Sequence, residues 1–465
     1  MRNPVSRAAA PMHVDPASIF DPDRVHVRRY GDRLLVIDQA NGRWIGLDHR
    51  EGRMLPLLKL GPGVIAHAAI GARLEELRRL LVDNDIGASD GADPTRLNTI
   101  ILKLTKRCNI ACAYCYDFEN GDQARNADAG QMKAAVSQAL DLAGAGNKLS
   151  VILHGGEPML VWDLLEEIVA HGEAEAARLG VRIGFQGQTN MTALTARKVA
   201  FSQAHDIAWG ISLDGDAAAN DRFRIRTDAG GTYNLFERAL RDYGDFVRQF
   251  PVLSTITGPT SGRLLETARH FRDIGMAGWD WSLFQPIGRA RNGNPQFEAN
   301  GEQLLASWAA LFAAVEAGEF DGFPVQPVLK YLRNFIESPG GNMCLRPKCG
   351  AARDLVSVSY DGAIEACDCL DRSGPLSPIG AMETGDLRSA RAGALSAFIR
   401  SRDTSRNHCS QCLWFGQCGG TCLAHSGGID SVNGLHCAVS QLAFDSIARS
   451  MLTTPAMQRY YGSCQ

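Results

Sequence analysis

The sequence predicts an α/β fold built on a partial (β/α)6 TIM-like barrel. From residue 97 onward, short apolar runs alternate with segments of helical periodicity, which is typical of βαβ units and a parallel sheet. Polar or glycine-rich stretches follow the first four runs, at the strand ends where barrels of this kind carry their active sites. The thirteen cysteines fall into two distant groups, at 108–115 and 344–464, which indicates two separate ligand-bearing regions.

Six strands and five intervening helices are predicted in the barrel. The strands cover 97–105, 148–156, 182–189, 207–215, 252–258 and 279–286. The helices cover 129–143, 159–180, 194–206, 232–246 and 262–275. Further helix is expected within 300–335, and from Cys344 onward the periodicity fades as glycine and cysteine rise. That composition predicts a small region organised by metal rather than by a large core.

The first hundred residues have a different pattern. Residues 1–24 are rich in proline and alanine and are expected to be poorly ordered. Two apolar runs flank Asn41-Gly42 and predict a β-hairpin over 32–48. Residues 51–60 and 72–86 are predicted to be helical, and the Gly/Asp/Pro-rich stretch 87–96 to be a linker.

Charge and composition narrow the function. The net charge of the 465-residue chain is −3, and no Lys/Arg block occurs, so neither nucleic acid nor an anionic membrane is expected as a partner. The first twenty residues lack a signal-peptide pattern, and no apolar run reaches 18 residues. We therefore expect a cytoplasmic protein, in which reduced cysteines act as metal or catalytic ligands rather than as disulfides.

Cys108, Cys112 and Cys115 form a C-x3-C-x2-C motif directly after the first barrel strand. A zinc site usually has four ligands, yet the next histidine, His154, lies 39 residues beyond Cys115. Three thiolates suit a 4Fe-4S cluster in which one iron has no protein ligand and can bind a substrate or cofactor. The remaining alternative is three unrelated thiols in a loop.

This motif, with an aromatic residue before its last cysteine and Gly-Gly-Glu-Pro after the second strand, resembles the radical S-adenosylmethionine (SAM) enzymes. The resemblance covers about 97–300 and implies that SAM binds the open iron and is cleaved to a 5′-deoxyadenosyl radical. The residues that it implies in SAM binding are Tyr114, Gly155, Gly156, Glu157, Thr189, Asn190, Ser212 and Arg224. Arg224 could instead form a surface ion pair, and Ser212 and Asn190 could be strand-end caps. Met191 stands where relatives often carry glycine.

The C-terminal cysteines resemble the SPASM extension of peptide-modifying radical SAM enzymes, over about 344–440. The resemblance implies two auxiliary 4Fe-4S clusters. The first would be held by Cys344, Cys349, Cys367 and Cys422, and the second by Cys409, Cys412, Cys418 and Cys437. One or two zinc ribbons are the alternative, since C-x2-C pairs also fit zinc.

Three points in this cysteine-rich region stay open. Cys369 lies two positions from Cys367 and could replace it, and without Cys344 the first auxiliary cluster would have an open iron. Asp368 matches an aspartate that acts as general base in anaerobic sulfatase-maturating enzymes, or it is an ordinary carboxylate near the cluster. Cys464 is expected to be incidental.

The N-terminal hairpin and helices resemble the RiPP recognition element, a small winged-helix-like α+β domain that binds leader peptides by adding a strand to its sheet. A packing subdomain without a ligand is the alternative. After the N-terminal residues 1–24, five parts are expected along the chain. They are a leader-recognition domain (25–95), the radical SAM core (96–300), a helical linker (301–343), the SPASM domain (344–440) and a C-terminal helix or tail (441–465).

Together these features predict a radical SAM peptide maturase. It would install an oxidative cross-link, a thioether, carbon–carbon or carbon–oxygen bond, in a ribosomal precursor peptide, with a flavodoxin- or ferredoxin-type electron donor. A formylglycine-generating sulfatase maturase is the second hypothesis. A non-catalytic iron–sulfur electron carrier is the third, and the Gly-Gly-Glu-Pro motif argues against it.

Overall fold

The computed structural model describes residues 24–59, 68–88, 96–118, 125–291, 293–337 and 341–465. The N-terminal stretch expected to be poorly ordered lies outside these residues except for its last position. Most of the expected linker, residues 89–95, lies outside them as well.

The described N-terminal part contains a three-stranded antiparallel sheet in the order β1-β2-β3. Its strands are β1 (Val25–Tyr30), β2 (Arg33–Asp38) and β3 (Trp44–Asp48). The predicted hairpin is confirmed: Gly42 donates its N–H to the Asp38 carbonyl and has a φ of +70°, a conformation that favours glycine. Strand β1 was not predicted.

Two helices follow this sheet, and the second gives it a core of its own. They are α1 (His49–Gly52) and α2 (Ala68–Asp83), with a short 3-10 turn at Leu55–Lys59 between them. Leu74, Leu77 and Leu81 recur at helical spacing on α2 and are buried against Val36 and Ile45 of the sheet. The predicted helix over 72–86 is therefore confirmed, with its end at Asp83.

The centre of the molecule is a parallel sheet in the order β4-β5-β6-β7-β8-β9. Its strands are β4 (Thr99–Lys103), β5 (Lys148–His154), β6 (Arg182–Thr189), β7 (Ala208–Ser212), β8 (Val252–Ile256) and β9 (Trp279–Leu283). The connecting helices are α3 (Ala129–Ala143), α4 (Trp162–Leu179), α5 (Ala196–Ala204), α6 (Ala217–Asn220), α7 (Tyr233–Asp242), α8 (Gly244–Val247) and α9 (Leu264–Asp273). The predicted strand–helix alternation is confirmed.

The C-terminal part extends this sheet instead of standing apart from it. Strand β10 (Leu355–Val358) runs parallel to β4, and β11 (Ala363–Glu365) and β12 (Gly380–Ala381) follow as antiparallel neighbours. The remaining helices are α10 (Gly301–Glu316), α11 (Gln326–Ile336), α12 (Leu387–Ala392), α13 (Ala394–Arg400), α14 (Phe415–Cys418), α15 (Gly434–Thr453) and α16 (Ala456–Ser463).

Strands β10–β12 were not predicted, and the 20-residue helix α15 begins at Gly434, before the helix or tail expected over 441–465. Helix α15 packs against α10, α11 and β2, so apolar residues cover several of its sides and its periodicity is weak. In the described part of the chain, no helix has the length and apolar character needed to cross a membrane.

Candidate active site

The three cysteines of the C-x3-C-x2-C motif lie in the loop after β4. The loop is held from two directions, because Ala113 N–H donates to the Phe223 carbonyl and the Arg289 side chain donates to the Cys112 carbonyl at 2.9 Å. All three cysteines line a cavity of about 980 Å³ along the carboxyl ends of the barrel strands. Burial raises the pKa of each thiol, that of Cys112 to about 11. A positively charged metal centre is what would hold such thiols as thiolates.

Gly155 and Gly156 follow β5 and lie against the backbone that leads into the cysteine loop. A Cβ atom on Gly155 would be 2.6 Å from the Thr105 carbonyl oxygen, and one on Gly156 would overlap the carbonyl of Arg107. Gly155 also has a φ of +126°, a backbone conformation that residues with a Cβ atom rarely adopt. Glycine is therefore needed at both positions to keep the cysteine loop close to the second strand.

The Glu157 carboxylate is buried between the ends of β5 and β6. It accepts hydrogen bonds from the Met159 N–H at 3.1 Å, the Thr189 hydroxyl at 2.7 Å and the Asn190 N–H at 2.8 Å. Burial raises the pKa of Glu157, although these three donors oppose the shift. Glu157 and Thr189 thus fix the position of two strand ends that line the cavity.

The side chains of Asn190 and Ser212 form hydrogen bonds with nearby residues and also lie at the cavity. The Asn190 side chain donates to Asn109 at 2.9 Å and lies 3.9 Å from the Cys108 sulfur, while its oxygen accepts from the Thr192 N–H. Asn190 is thus both a turn-forming residue and a neighbour of the cysteine loop. The Ser212 hydroxyl accepts from the Gln188 side chain at 2.7 Å and also lines the cavity.

Met191 adopts a φ of +60°. This is the left-handed region, which glycine enters without strain and a residue with a Cβ rarely occupies. The geometry explains why glycine would suit this position, and it shows that methionine can hold the same turn.

Arg224 forms a buried ion pair beside the cysteine loop. Its Nε donates to Asp214 at 3.0 Å, its Nη1 lies 3.8 Å from the Cys112 sulfur, and its guanidinium sits over the ring of Tyr114. The side chain is about 10% exposed, so the expectation of a surface ion pair is wrong. Burial alone would lower the pKa of Arg224, but Asp214, Tyr114 and Cys112 together outweigh it and the pKa is raised.

Tyr114 is buried and donates its hydroxyl to Asp214. Its ring packs edge-on against Phe223 and Phe297. Asp214 therefore organises both Tyr114 and Arg224. Asp214 was not among the predicted site residues, although its carboxylate lies only two positions after Ser212 in the sequence.

The C-terminal part supplies one wall of the same cavity, through Asp368, Cys369 and His425. The Tyr116 hydroxyl donates to Asp368 at 3.3 Å and lies 3.5 Å from His154 Nε2. Burial lowers the pKa of His154, which favours its neutral form at pH 7. Tyr116 and His154 were not among the predicted site residues, because their meeting with Asp368 depends on the distant β10–β12 extension.

A buried lysine connects the cysteine loop after β4 with the C-terminal segment that carries Asp368. Lys103, at the end of β4, lies 3.1 Å from Asp117 and 3.3 Å from Glu365 of β11, and it donates to the Asp368 carbonyl at 3.3 Å. Burial would raise the pKa of Asp117, but Lys103, Lys106 and His154 together outweigh it and the pKa is lowered. The cysteine loop and the Asp368 segment are thus fixed relative to each other by charge.

The four cysteines expected at the first auxiliary cluster line a second, smaller cavity of about 40 Å³. They are Cys344, Cys349, Cys367 and Cys422. Cys369 lies close to Cys367 and Asp368, but it lines the large cavity rather than the small one. This arrangement favours Cys367 over Cys369 as the fourth thiol. Four thiols around one small cavity suit a cluster ligated entirely by protein.

The four cysteines expected at the second auxiliary cluster are also neighbours. Burial raises the pKa of Cys412 to about 11, and the nearby Cys418, Cys409 and Cys437 add to the shift. Cys464 lies apart, at the end of α16 beside Ser463. Both groups of four thiols therefore have the donor chemistry of iron–sulfur ligands.

Residues 102–274 match the family model of the radical SAM superfamily, so the chain contains a radical SAM domain. The cysteine-type anaerobic sulfatase-maturating enzyme of Clostridium novyi is 22% identical over 346 residues, which cover 70% of this chain and 87% of that enzyme. The serine-type enzyme of Klebsiella aerogenes is 22% identical over 346 residues, covering 73% and 82%. An uncharacterized protein of Methanocaldococcus jannaschii is 33% identical over 116 residues, covering 25% of this chain and only 38% of that protein.

Two solved structures share the fold. The structure of anSMEcpe with bound AdoMet and the Cp18Cys peptide has a TM-score of 0.65 at 17% identity, covering 77% of this chain and 98% of that one. Streptococcus suis SuiB bound to its precursor peptide SuiA has a TM-score of 0.53 at 14% identity, covering 89% and 98%. The predicted combination of a radical SAM barrel with a cysteine-rich C-terminal part is confirmed.

Proposed function

We propose that this protein is a radical SAM peptide maturase that oxidatively modifies a ribosomally made precursor peptide. The observation that carries the proposal is the large cavity, whose wall combines the three-cysteine loop with Asp368, Cys369 and His425 of the C-terminal part. A volume of about 980 Å³ is at the upper end of the range of ligand pockets, roughly 300–1,000 Å³. It has room for a nucleoside cofactor and for a substrate side chain beside it.

The residues around the cavity fit SAM and a 4Fe-4S cluster. Cys108, Cys112 and Cys115 would hold the cluster, which supplies the electron for cleavage of SAM to a 5′-deoxyadenosyl radical when both are bound. Arg224 would add positive charge for the SAM carboxylate, and Ser212 and Asn190 would supply polar contacts. Gly155 and Gly156 let the second strand approach the cysteine loop, which leaves backbone groups to face the SAM amino group.

Asp368 would act on the substrate from the opposite wall. Its carboxylate is half-buried and is positioned by the Tyr116 hydroxyl, so it could accept a proton from the substrate as the oxidative bond forms. The two auxiliary clusters, held by the two groups of four cysteines, would accept the electron that the substrate loses. A flavodoxin- or ferredoxin-type protein would supply electrons to the SAM cluster.

The N-terminal sheet would bind the leader of the precursor. In the order β1-β2-β3 the outer strands β1 and β3 each have one side unpaired within this sheet. An extended peptide can add to such an edge through main-chain hydrogen bonds. The similarity to SuiB, which extends over 89% of this chain, supports this assignment.

A sulfatase-type maturase that makes formylglycine is the second candidate. The contact between Asp368 and Tyr116 inside the cavity favours it, as do the sulfatase-maturating relatives. The N-terminal sheet favours the first candidate.

The test is anaerobic reconstitution with SAM and a reductant. One reaction contains the peptide encoded by a short neighbouring reading frame, and a parallel reaction contains a sulfatase-derived peptide with Cys or Ser at its target position. A mass loss of about 2 Da per modification in the first peptide alone supports the proposal, and modification of only the second supports the alternative. The absence of 5′-deoxyadenosine from both reactions contradicts both candidates.

A further inference from the structure

We propose that the N-terminal hairpin is a structural part of the second auxiliary cluster site, and that Gln39 is the residue that positions its cysteine loop. The inference rests on the proposed function, in which Cys409, Cys412, Cys418 and Cys437 hold an iron–sulfur cluster. It goes beyond leader recognition, because it gives the N-terminal part a role in the metal site itself.

The first observation is the hydrogen bonding of Gln39. Its side-chain amide is buried and donates to three backbone carbonyls, those of Cys409, Ser410 and Cys412, each at 3.0 Å. These carbonyls belong to one turn of the loop that carries two of the proposed ligands. A single side chain more than 360 residues away in sequence thus satisfies the carbonyls of that turn by hydrogen bonding.

The second observation is that Gln39 is itself held in place. Its neighbour Asp38 is fully buried, pairs with Arg24 at 2.9 Å and accepts from the Ala40 N–H at 3.0 Å and the Gly87 N–H at 2.7 Å. The turn after Gln39 is therefore rigid on its N-terminal side, which is what a positioning residue needs.

The third observation is a reciprocal contact from the cysteine-rich part. The side chain of Gln417, next to Cys418, is fully buried and donates to the Gly42 carbonyl at 2.7 Å. Gly416 lies so close to the hairpin that a Cβ atom there would overlap the Gly42 backbone and lie 2.8 Å from the Gln39 carbonyl oxygen. Each side of the junction therefore donates to the backbone of the other.

The fourth observation is the aromatic packing beside these contacts. Trp44 of β3 stacks on Phe335 at 4.3 Å between ring centroids and donates its indole N–H to the Phe335 carbonyl at 2.7 Å. Phe335 in turn contacts Trp414, which lies between Cys412 and Cys418. The junction is thus buried and apolar around its hydrogen bonds, so water is poorly placed to replace the Gln39 amide.

A truncation of the N-terminal part would have two effects at once. Removing the N-terminal part would remove both the proposed leader-binding sheet and three hydrogen bonds of the cysteine loop. Loss of activity in such a truncation would not identify leader binding as the cause. Point variants in the full-length chain separate the two effects.

The test compares full-length wild type with Gln39→Met, which keeps the side-chain volume and removes the amide. Gly416→Ala forces the same junction apart, and Gly434→Ala is its matched control, because a Cβ atom at Gly434 meets no atom within 4 Å. After anaerobic reconstitution, we expect Gln39→Met and Gly416→Ala to lose about four of about twelve irons per chain. Their SAM-responsive electron paramagnetic resonance signal should persist, and Gly434→Ala should keep all the iron.

Hydrogen exchange on the proteins before reconstitution gives a second readout that does not depend on any cluster. Amides of 409–418 should exchange roughly tenfold faster in Gln39→Met than in wild type, while those of 97–105 stay unchanged. Full iron and unchanged exchange in both variants would overturn the inference, and so would equal acceleration of both segments. A wild-type protein that takes up iron but never cleaves SAM would contradict the proposed function. In that case the hydrogen-exchange result alone would support or overturn the role of Gln39.

Discussion

The two cavities lined by cysteines differ in size and in what surrounds them. The first is lined by the three motif cysteines and by Cys369 in a space of about 980 Å³, together with polar side chains from the barrel and the C-terminal part. The second holds four cysteines in about 40 Å³, with mainly apolar neighbours. The three motif cysteines leave one ligand position of a cluster unfilled, which suits binding of a small molecule at the metal. The four cysteines around the small cavity can ligate a cluster completely, which suits storage or transfer of electrons.

The largest effect is expected from the large cavity. Changing Cys108, Cys112 and Cys115 to Ala should abolish production of 5′-deoxyadenosine, because no cluster remains to supply the electron. The assay is liquid chromatography of the quenched reaction, together with iron analysis. Cys464→Ala serves as the control and should behave as wild type, since Cys464 lies apart from both cavities. Residual SAM cleavage in the triple variant would show that the loop is not the cluster site.

At the smaller cavity, Cys349→Ala should separate the two activities. SAM cleavage should continue, because the three-cysteine site is intact, while peptide product should fall by ~10²-fold or more, the scale on which losing an essential catalytic group acts. Both products can be quantified in one reaction by mass spectrometry. If SAM cleavage and peptide modification fell equally, the distinction between the two sites would be wrong.

Asp368→Asn tests the wall of the large cavity, at the residue that directly precedes Cys369 and follows Cys367 of the small cavity. The amide cannot accept a proton from the substrate, so the rate of peptide modification should fall by about 10²–10⁴-fold, while 5′-deoxyadenosine still forms. Asp371→Asn is the matched control, because Asp371 pairs with Arg291 and does not line the large cavity. A variant at position 368 with normal product formation would leave Asp368 as an ordinary polar neighbour of Cys367.

A smaller effect is expected from Arg224→Lys. Lysine keeps the charge near Asp214 but loses the planar fork, so the Kd for SAM should rise by roughly tenfold. Isothermal titration under anaerobic conditions measures it. Arg226→Lys is the control, because Arg226 pairs with Asp228 at the surface. Equal affinities in wild type and Arg224→Lys would remove Arg224 from the SAM site.

The smallest expected effect is on stability, from Glu157→Gln. The amide replaces one carboxylate oxygen by an NH2 group that faces a donor, so the free energy of unfolding should fall by about 1–3 kcal/mol. Chemical denaturation of the protein without clusters measures this difference. An unchanged midpoint would mean that the contacts of Glu157 with Thr189 and Asn190 do little to hold the strand ends together.

The barrel could be predicted from the sequence because its signals are local. Helix α3 and strand β6 coincide with the predicted 129–143 and 182–189, since an amphipathic helix and a buried strand each show their own period. The three motif cysteines and the two glycines after β5 could be predicted for the same reason, because each motif lies within a short stretch of sequence. The group of Cys344, Cys349, Cys367 and Cys422, which the resemblance to the SPASM extension implies, lies around one cavity.

Contacts between distant segments could not be predicted in this way. Strand β10 has four residues and gains its place by pairing with β4, more than 250 positions earlier. The meeting of Tyr116 with Asp368, and of Gln39 with the Cys409 loop, depends on that same long-range packing. Asp214 is an intermediate case, because its carboxylate was visible in the sequence while its partners Tyr114 and Arg224 were not.

The most direct test of the central claim follows a hydrogen atom across the large cavity. The precursor peptide is labelled with deuterium on its core side chains and incubated with SAM and reductant. If the cavity brings the radical and the peptide together, 5′-deoxyadenosine should gain about 1 Da from the peptide, and only in the presence of labelled peptide. Unlabelled 5′-deoxyadenosine alongside modified peptide would contradict the account.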